Sequence, residues 1–367
     1  MQIVKKIFFF VIIVVLLIAV ALAAYVFYLQ DGYFRYEDNL PLAIDNQMSK
    51  LITKDGKYSA LIYNVGFGAY DQDYSFFMDT GVMKNGEKVK GKYGQGRSYS
   101  DVDFNITNSA LEAEKQNADF YMFQEVDIKA TRSFGINEKE KIEASLSEYS
   151  SVYASNFHSR FLFYPLTNPH GSVEAGLLTL GKYEIASATR KSYTVDEGFL
   201  IKFFDLDRCF SVERYKIEDA ENEFVLVNHH MSAYDEGGLI RKKQMQELFD
   251  FADEEYKKGN YIVIGGDFNH ALSGSENLYK TEQEFPNWVS VFPEDELPEG
   301  FSVVKPDNFG DVATCRTADI PYEKGVNYET IVDGFIISDN ISASSTIIDL
   351  EYLYSDHNPV LLNFEFK

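Results

Sequence analysis

Cysteine is scarce. Cys209 and Cys315 are the only two in 367 residues, and their spacing fits neither a zinc site nor a disulfide framework. Export would let them pair, two separate part-buried thiols satisfy the sequence as well, and no redox role follows. Basic charge is also short: 34 Lys and Arg stand against 57 Asp and Glu, a formal charge of −23. Non-specific nucleic-acid affinity comes from cations that neutralise phosphates and release counterions, so a general nucleic-acid binder is disfavoured and an anionic substrate needs a local patch or a metal. Internal repeats, low-complexity tracts and long charge blocks are missing too. What is present is 45% apolar and 15% aromatic residues, which excludes a disordered or collagen-like chain and suffices for one large core.

The first feature of substance is an uninterrupted run of uncharged, almost wholly apolar residues from Ile7 to Leu29, preceded by Lys5 and Lys6 and followed by Asp31, Arg35, Glu37 and Asp38. At about 1.5 Å per residue it spans a hydrocarbon core of about 30 Å, whereas the apolar region of a cleaved signal is about 7 to 15 residues. Length favours a single-pass signal anchor. The small residues of Val20-Ala21-Leu22-Ala23-Ala24 resemble a peptidase site, so secretion after cleavage is the alternative. Lys5 and Lys6 predict a cytoplasmic tail at 1–6 and a domain outside the cell membrane.

Residues 30–56 mix Asp, Asn, Gly and Pro41 with few apolar positions and read as a stalk. Residues 57–367 read as one domain. Strand character marks Tyr58–Val65, Phe120–Phe123, Gly176–Leu180, Phe224–Asn228, Tyr261–Ile264, Thr330–Ile337 and Pro359–Phe364. Helical spacing predicts helices over Asp101–Lys115 and Gly238–Lys257, so two packed sheets with helices outside are expected.

Polar residues gather where these strands end, which is where a sheet delivers side chains to its rim. Asn64 precedes Gly66 and Gly68, a context equally typical of a turn. Gln124-Glu125 follows an apolar strand, and a carboxylate there needs a cation or base; its oxygens suit Mg²⁺. In Asn228-His229-His230, adjacent residues point to opposite faces, so at most one imidazole serves a given site. Gly265-Gly266 permits a sharp exit from its strand, with Asp267 and Asn269 on one side by alternation. Asp356-His357 follows Ser355, which as a sequence neighbour cannot complete a hydrolase triad, and Asp333 is a candidate carboxylate to hold His357.

In this order the motifs resemble the endonuclease/exonuclease/phosphatase superfamily, the metal-dependent phosphodiesterases and phosphatases that include DNase I-like nucleases, neutral sphingomyelinases and inositol phosphatases. The resemblance covers about Tyr58 to Phe366. It implies an α/β fold, a four-layer sandwich of two mainly antiparallel sheets, with the site at one mouth between them. Glu125 matches the principal Mg²⁺ ligand, with Asn64 as its neighbour and Asp356 as a metal-site carboxylate; Mn²⁺ is an alternative ion. Asp267 matches the residue that orients or deprotonates water, Asn269 the phosphate-orienting amide, His357 the histidine on the scissile phosphate and Asp333 its partner. His230 matches a histidine usually preceded by Thr; here His229 stands before it.

Substrate is less determined. Tyr74–Asp79 and Gly91–Ser98 form an insertion that could flank the site, and Phe203–Arg214 is an aromatic-basic stretch that fits amphipathic sheet as well as a lipid or base contact. The leading expectation is an Mg²⁺-dependent phosphoesterase held at the lipid bilayer, acting on a lipid headgroup or small phosphate ester. An extracytoplasmic nuclease and a catalytically silent tethered binding module are the alternatives; no protein partner is inferable.

Overall fold

Continuous apolar runs in the middle of a chain become strands buried on both faces, and the two longest sets here build two sheets. The computed structural model describes residues 2–199, 201–203, 206–233 and 238–367. It begins with α1 (Gln2–Gly32), then β1 (Leu40–Pro41), β2 (Ile44–Asp45), β3 (Lys57–Asn64), β4 (Thr80–Val82) and β5 (Lys88–Lys90). Next come α2 (Tyr99–Lys115), β6 (Phe120–Asp127), α3 (Glu138–Ser145), β7 (Ser150–Leu162), β8 (Gly171–Gly181), β9 (Ile185–Ser192), β10 (Cys209–Lys216) and β11 (Glu223–His230). The chain ends with α4 (Leu239–Lys257), β12 (Tyr261–Asp267), β13 (Phe301–Val304), β14 (Cys315–Arg316), β15 (Glu329–Thr330), β16 (Asp333–Ser338), β17 (Ile341–Ile347) and β18 (Val360–Phe366).

One seven-stranded sheet has the order β17-β18-β3-β6-β8-β7-β2 and the other β1-β9-β10-β11-β12-β16-β13. Only β3 with β6 and β11 with β12 pair in parallel within them. The main core lies between the sheets, where Ile62, Phe120 and Met122 meet Tyr215, Phe224 and Phe335. A second core forms outside the first sheet: α2 buries Val102, Ile106, Ala110 and Ala113 against Leu61, Tyr63, Tyr121 and Phe123. Ser98 caps α2 by accepting the Asp101 N–H. On the far side α4 buries Met245, Leu248, Phe249 and Ala252. The expected four layers are therefore present.

Three expectations need correction. Residues 30–56 are not a free stalk from Leu40 on: β1 pairs with β9, β2 pairs with β7, and Ile52 is wholly buried, so this segment straps the edges of both sheets. Two-residue strands among Asp, Asn and Pro carry no readable period. The run Thr330–Ile337 is two strands, because the N–H groups of Val332 and Asp333 both donate to Thr314 Oγ1 and interrupt the ladder. The glycines Gly265 and Gly266 lie inside β12 rather than at its exit; Met122 of the facing sheet would sit 2.5 Å from a Cβ at Gly265. Cys209 and Cys315 are both buried free thiols. Strands β7, β9 and β17 carry no readable period because small polar residues dilute their apolar positions, and the eight-residue α3 carries none because it is mostly Glu and Lys.

A buried polar seam crosses the interior below the mouth. Gln124 Nε2 donates to Asn228 Oδ1 at 2.8 Å, and Asn228 Nδ2 donates to Thr179 Oγ1 at 3.2 Å. Beside it Glu213 is fully buried, and desolvation pushes its carboxyl from 4.5 up to about 8. The folded state thus prefers the proton, so this group costs stability progressively as pH rises from about 4.5 to about 8. Glu213→Gln is expected to raise the thermal unfolding midpoint above pH 8 and to leave it unchanged below pH 4.5. An equal shift at both ends, measured by calorimetry across the range, would contradict a buried neutral Glu213.

Candidate active site

Register decides which side chains meet. His230 on β11, Asp267 on β12 and Asp333 on β16 are direct cross-strand neighbours, so they form one row on one face at the end of the second sheet. Alternation turns His229 to the opposite face, where its ring lies 4.2 Å from that of Phe268. Burial lowers His229 to about 3, and among the described residues neither ring nitrogen has a hydrogen-bond partner. Of the two adjacent imidazoles, His230 is thus the one in the cluster.

The facing sheet supplies the other half. Asn64 ends β3 in register with Gln124 of β6. Between Phe123 and Val126 the pairing of β6 with β8 is interrupted, and Glu125 adopts a left-handed φ of 57°. This bulge turns a carboxylate out of an otherwise buried strand, a device typical of sites. Glu125 Oε1 lies 3.3 Å from Asn64 Nδ2. Asn64 enters the cluster through that amide nitrogen, which also donates to Asp267 Oδ2 at 3.1 Å; its oxygen accepts the Gly66 N–H at 3.0 Å. Asn64 thus lies next to Glu125, the neighbour that the resemblance implies, with its amide nitrogen toward the cluster.

His357 closes the site. Its Nδ1 is 2.8 Å from Asp333 Oδ2, while Nε2 lies 3.5 Å from Asn64 Nδ2 and 3.8 Å from Asp267 Oδ2. Burial opposes charge on this ring, but Asp333 outweighs it, and His357 stands well above its ordinary value. His230 lies with Nε2 3.4 Å from Asp267 Oδ2 and is lowered by burial and by the nearby Arg208 and His357. Asp267 is pushed up to about 7 by burial and by the charge of Asp333. Asp356 is pushed up to about 6, by burial and by Glu125 against the pull of His357 and Arg316. Glu125 and Asp356 are partly exposed, whereas Asn64, His230, Asp267, Asp333 and His357 are buried.

Asn269 departs from expectation. The strand ends at Asp267, so alternation no longer applies; Asn269 takes a φ of 48° and its side-chain amide donates to the Met231 carbonyl at 2.9 Å. Its backbone N–H instead fixes Asp267 Oδ1 at 2.8 Å. Ser355 is occupied in positioning: its hydroxyl donates to the Asn64 carbonyl at 2.7 Å and accepts the His357 N–H. Sequence reasoning missed Thr314, whose hydroxyl sets the start of β16 at Asp333, and Arg132, which binds Asp127 with two nitrogens and stacks 3.8 Å above Phe67. Neither has a motif signal, since both act across the fold.

Close packing beneath the row tolerates no added atom. Gly266 has a φ of 149°, and a Cβ there would fall 2.0 Å from the His229 carbonyl oxygen. Gly266→Ala should cost about 2 kcal/mol or more in denaturant unfolding. A variant as stable as the parent would mean that β11 and β12 are spaced differently.

No family model matches the chain, and no curated protein does. Solved structures do. An endonuclease/exonuclease/phosphatase from Beutenbergia cavernae aligns at TM-score 0.55 and 13% identity over 84% of this chain and 72% of that one. The human Nocturnin catalytic domain with bound sulfate anion aligns at 0.50 and 11% identity, covering 89% and 97%. Danio rerio (D. rerio) TDP2 complexed with single strand DNA product aligns at 0.51 and 11% identity, covering 85% and 100%. Two packed, mainly antiparallel sheets with flanking helices, converging on this site at one end, give the chain the endonuclease/exonuclease/phosphatase fold.

Proposed function

We propose that the protein is a divalent-metal-dependent phosphoesterase, held at a membrane by α1 and acting on a lipid headgroup or small phosphate ester. The observation that carries this reading is the row His230–Asp267–Asp333, closed by His357, facing Asn64 and Glu125 across the mouth.

The roles follow from the bonds. Asp333 accepts the Nδ1 proton of His357 and keeps the ring charged, so that Nε2–H faces the oxygens of a phosphoryl group. His230, neutral through burial, offers one N–H from the adjacent strand. Asp267, aligned by the Asn269 N–H and the Asn64 amide and titrating near neutrality, takes a proton from the attacking water.

A hard cation fits the partly exposed carboxylates Glu125 and Asp356: burial first, with Glu125 adding to it, drives Asp356 toward its neutral form, and a divalent charge would favour the ionised form of both. The buried group Asp267, Asp333 and His357 also brings three ligand atoms within 4.8 Å of one another, with Asp333 Oδ2 engaged by His357 Nδ1 at 2.8 Å. Glu125 and Asp356 are the proposed holders of Mg²⁺ or Mn²⁺, with Asn64 beside Glu125 at 3.3 Å. When bound, the ion supplies positive charge to the phosphoryl oxygens.

Activity of the purified full chain should vanish with EDTA and return with Mg²⁺, and Glu125→Gln should raise the Mg²⁺ requirement. His357→Ala and Asp267→Asn should each lower turnover by roughly 10²–10⁴-fold, with His229→Ala far less damaging. A larger loss in His229→Ala than in His230→Ala would sink the assignment of the row. Turnover of phospholipid vesicles, soluble phosphodiesters and supercoiled DNA under one Mg²⁺ concentration separates the substrate classes. DNA nicking without the other two would favour a nuclease, the reading that the DNA complex of the D. rerio TDP2 neighbour supports.

α1 is long and apolar enough to cross a membrane, with its apolar window fully exposed. Lys5 and Lys6 argue for a cytoplasmic start and an extracytoplasmic domain. Protease added to intact cells should then digest the domain; digestion only after the membrane is opened would reverse the topology.

A further inference from the structure

The end of the apolar helix is clasped by the catalytic domain. Tyr25 Oη donates to the Phe161 carbonyl at 3.1 Å and accepts the Phe163 N–H at 3.3 Å, while Tyr28 Oη accepts the Phe161 N–H at 3.3 Å. Arg160 pairs with Asp31 at 3.1 Å, and Lys202 Nζ donates to Gln30 at 2.8 Å. Leu29 is 4% exposed, buried with Leu162 and Phe203. Beyond the helix, Arg35 binds Asp207 at 3.0 Å, and Asp207 in turn pairs with the buried Arg190 of β9 at 3.1 Å. The domain is thus fixed to α1 rather than swinging from it.

The two clasping loops leave large apolar side chains uncovered: Phe163 is 55% exposed, Tyr164 57%, Leu166 86% and Phe199 62%. Phe163 packs edge-on against Tyr25 at 5.4 Å, and Tyr25 belongs to the last turns of the apolar run. If α1 crosses a bilayer, these side chains lie at the boundary of hydrocarbon and headgroups, where aromatic rings are favoured and cations such as Arg160 and Lys202 reach water.

Topology sets which end of the domain this is. Asp127, at the site end of β6, pairs with Ala175, only four residues from the start of β8 at Gly171, which itself pairs with Leu162. The β7–β8 turn therefore projects from the same end of the first sheet as Asn64 and Glu125. In the second sheet, His229 pairs with Phe210 and Cys209 with Ser192, so the β9–β10 loop carrying Phe199 leaves from the end that holds His230 and Asp267. Each sheet contributes one membrane-level loop, and both loops stand at the mouth. Ring contacts connect the β7–β8 turn to the site: Tyr164 meets Phe77 at 5.5 Å, Phe77 meets Phe76 at 4.8 Å, and Phe76 meets Phe67 at 6.5 Å, three residues beyond Asn64.

We propose that the β7–β8 turn and the β9–β10 loop dock on the bilayer that α1 crosses, so that the site mouth opens onto the headgroup layer of that same membrane. This rests on the reading of α1 as an uncleaved anchor, and it places the substrate phosphate at the membrane surface rather than in bulk solution.

The test uses the full chain reconstituted in phosphatidylcholine vesicles, with lipids brominated high on their acyl chains as contact quenchers of tryptophan. Leu166→Trp and Phe163→Trp report the loops; Glu365→Trp, on β18 opposite Lys57 at the start of β3, reports the far end of the sandwich. Emission lost to bromolipid in the two loop variants, and retained in Glu365→Trp and in the parent with its single Trp288, is the expected result. Vesicle flotation in alkaline carbonate reads the anchor separately. Failure to float overturns the anchor reading and the docking with it. Flotation with unquenched loop variants, or with Glu365→Trp quenched as strongly, overturns the docking alone.

Discussion

Two buried carboxylates stand side by side at the site end of the second sheet. Asp267 and Asp333 are cross-strand neighbours in a region closed to bulk water, where like charges cannot both ionise without help. Three neighbours of the pair answer that constraint. His357 offsets Asp333 through a short hydrogen bond, Asn64 and the Asn269 backbone donate to Asp267, and the charge that cannot be offset leaves Asp267 near neutrality. A carboxylate in that state is suited to accept a proton at ordinary pH, so the electrostatic difficulty and the chemistry proposed for the site share one cause.

Holding that row in place requires the sheets to approach closely and the strands to end where they do. Gly265 admits Met122 from the facing sheet, Gly266 admits the His229 carbonyl, and Gln124 bridges to Asn228 just below the mouth. Thr314 interrupts the ladder so that β16 starts at Asp333, and the bulge at Glu125 releases its side chain from the first sheet. Strand length and local backbone shape thus place the chemistry, and the helices outside supply the burial that makes those shapes affordable.

The same end of the sandwich meets the apolar helix. Residues 40–52 strap the edges of both sheets, Arg35 enters the buried Asp207–Arg190 pair, and the end of β7 and the loop after β9 grip the helix from Tyr25 to Asp31. Apolar helix, strap and mouth are therefore joined by direct contacts, which ties the orientation of the site to that of the helix.

Much of this was legible in the residues. The apolar helix follows from an unbroken run, the principal strands from apolar segments with polar ends, and α2 and α4 from their period; the candidates Asn64, Glu125, His230, Asp267, Asp333 and His357 lie on strands or immediately beside them, and these local patterns survive folding. Choosing His230 over His229 awaited the register, although alternation required that one be chosen. What only the tertiary structure decided are relations between segments far apart: the strap in residues 40–52, the turning of Asn269 away from its expected task, the amide orientation of Asn64, and the arrival of the β7–β8 turn beside the mouth. Sequence period reports which face of an element is buried. Which element covers it, and what a polar side chain meets across a gap of a hundred residues or more, is settled by packing and by the need to pair every buried polar group.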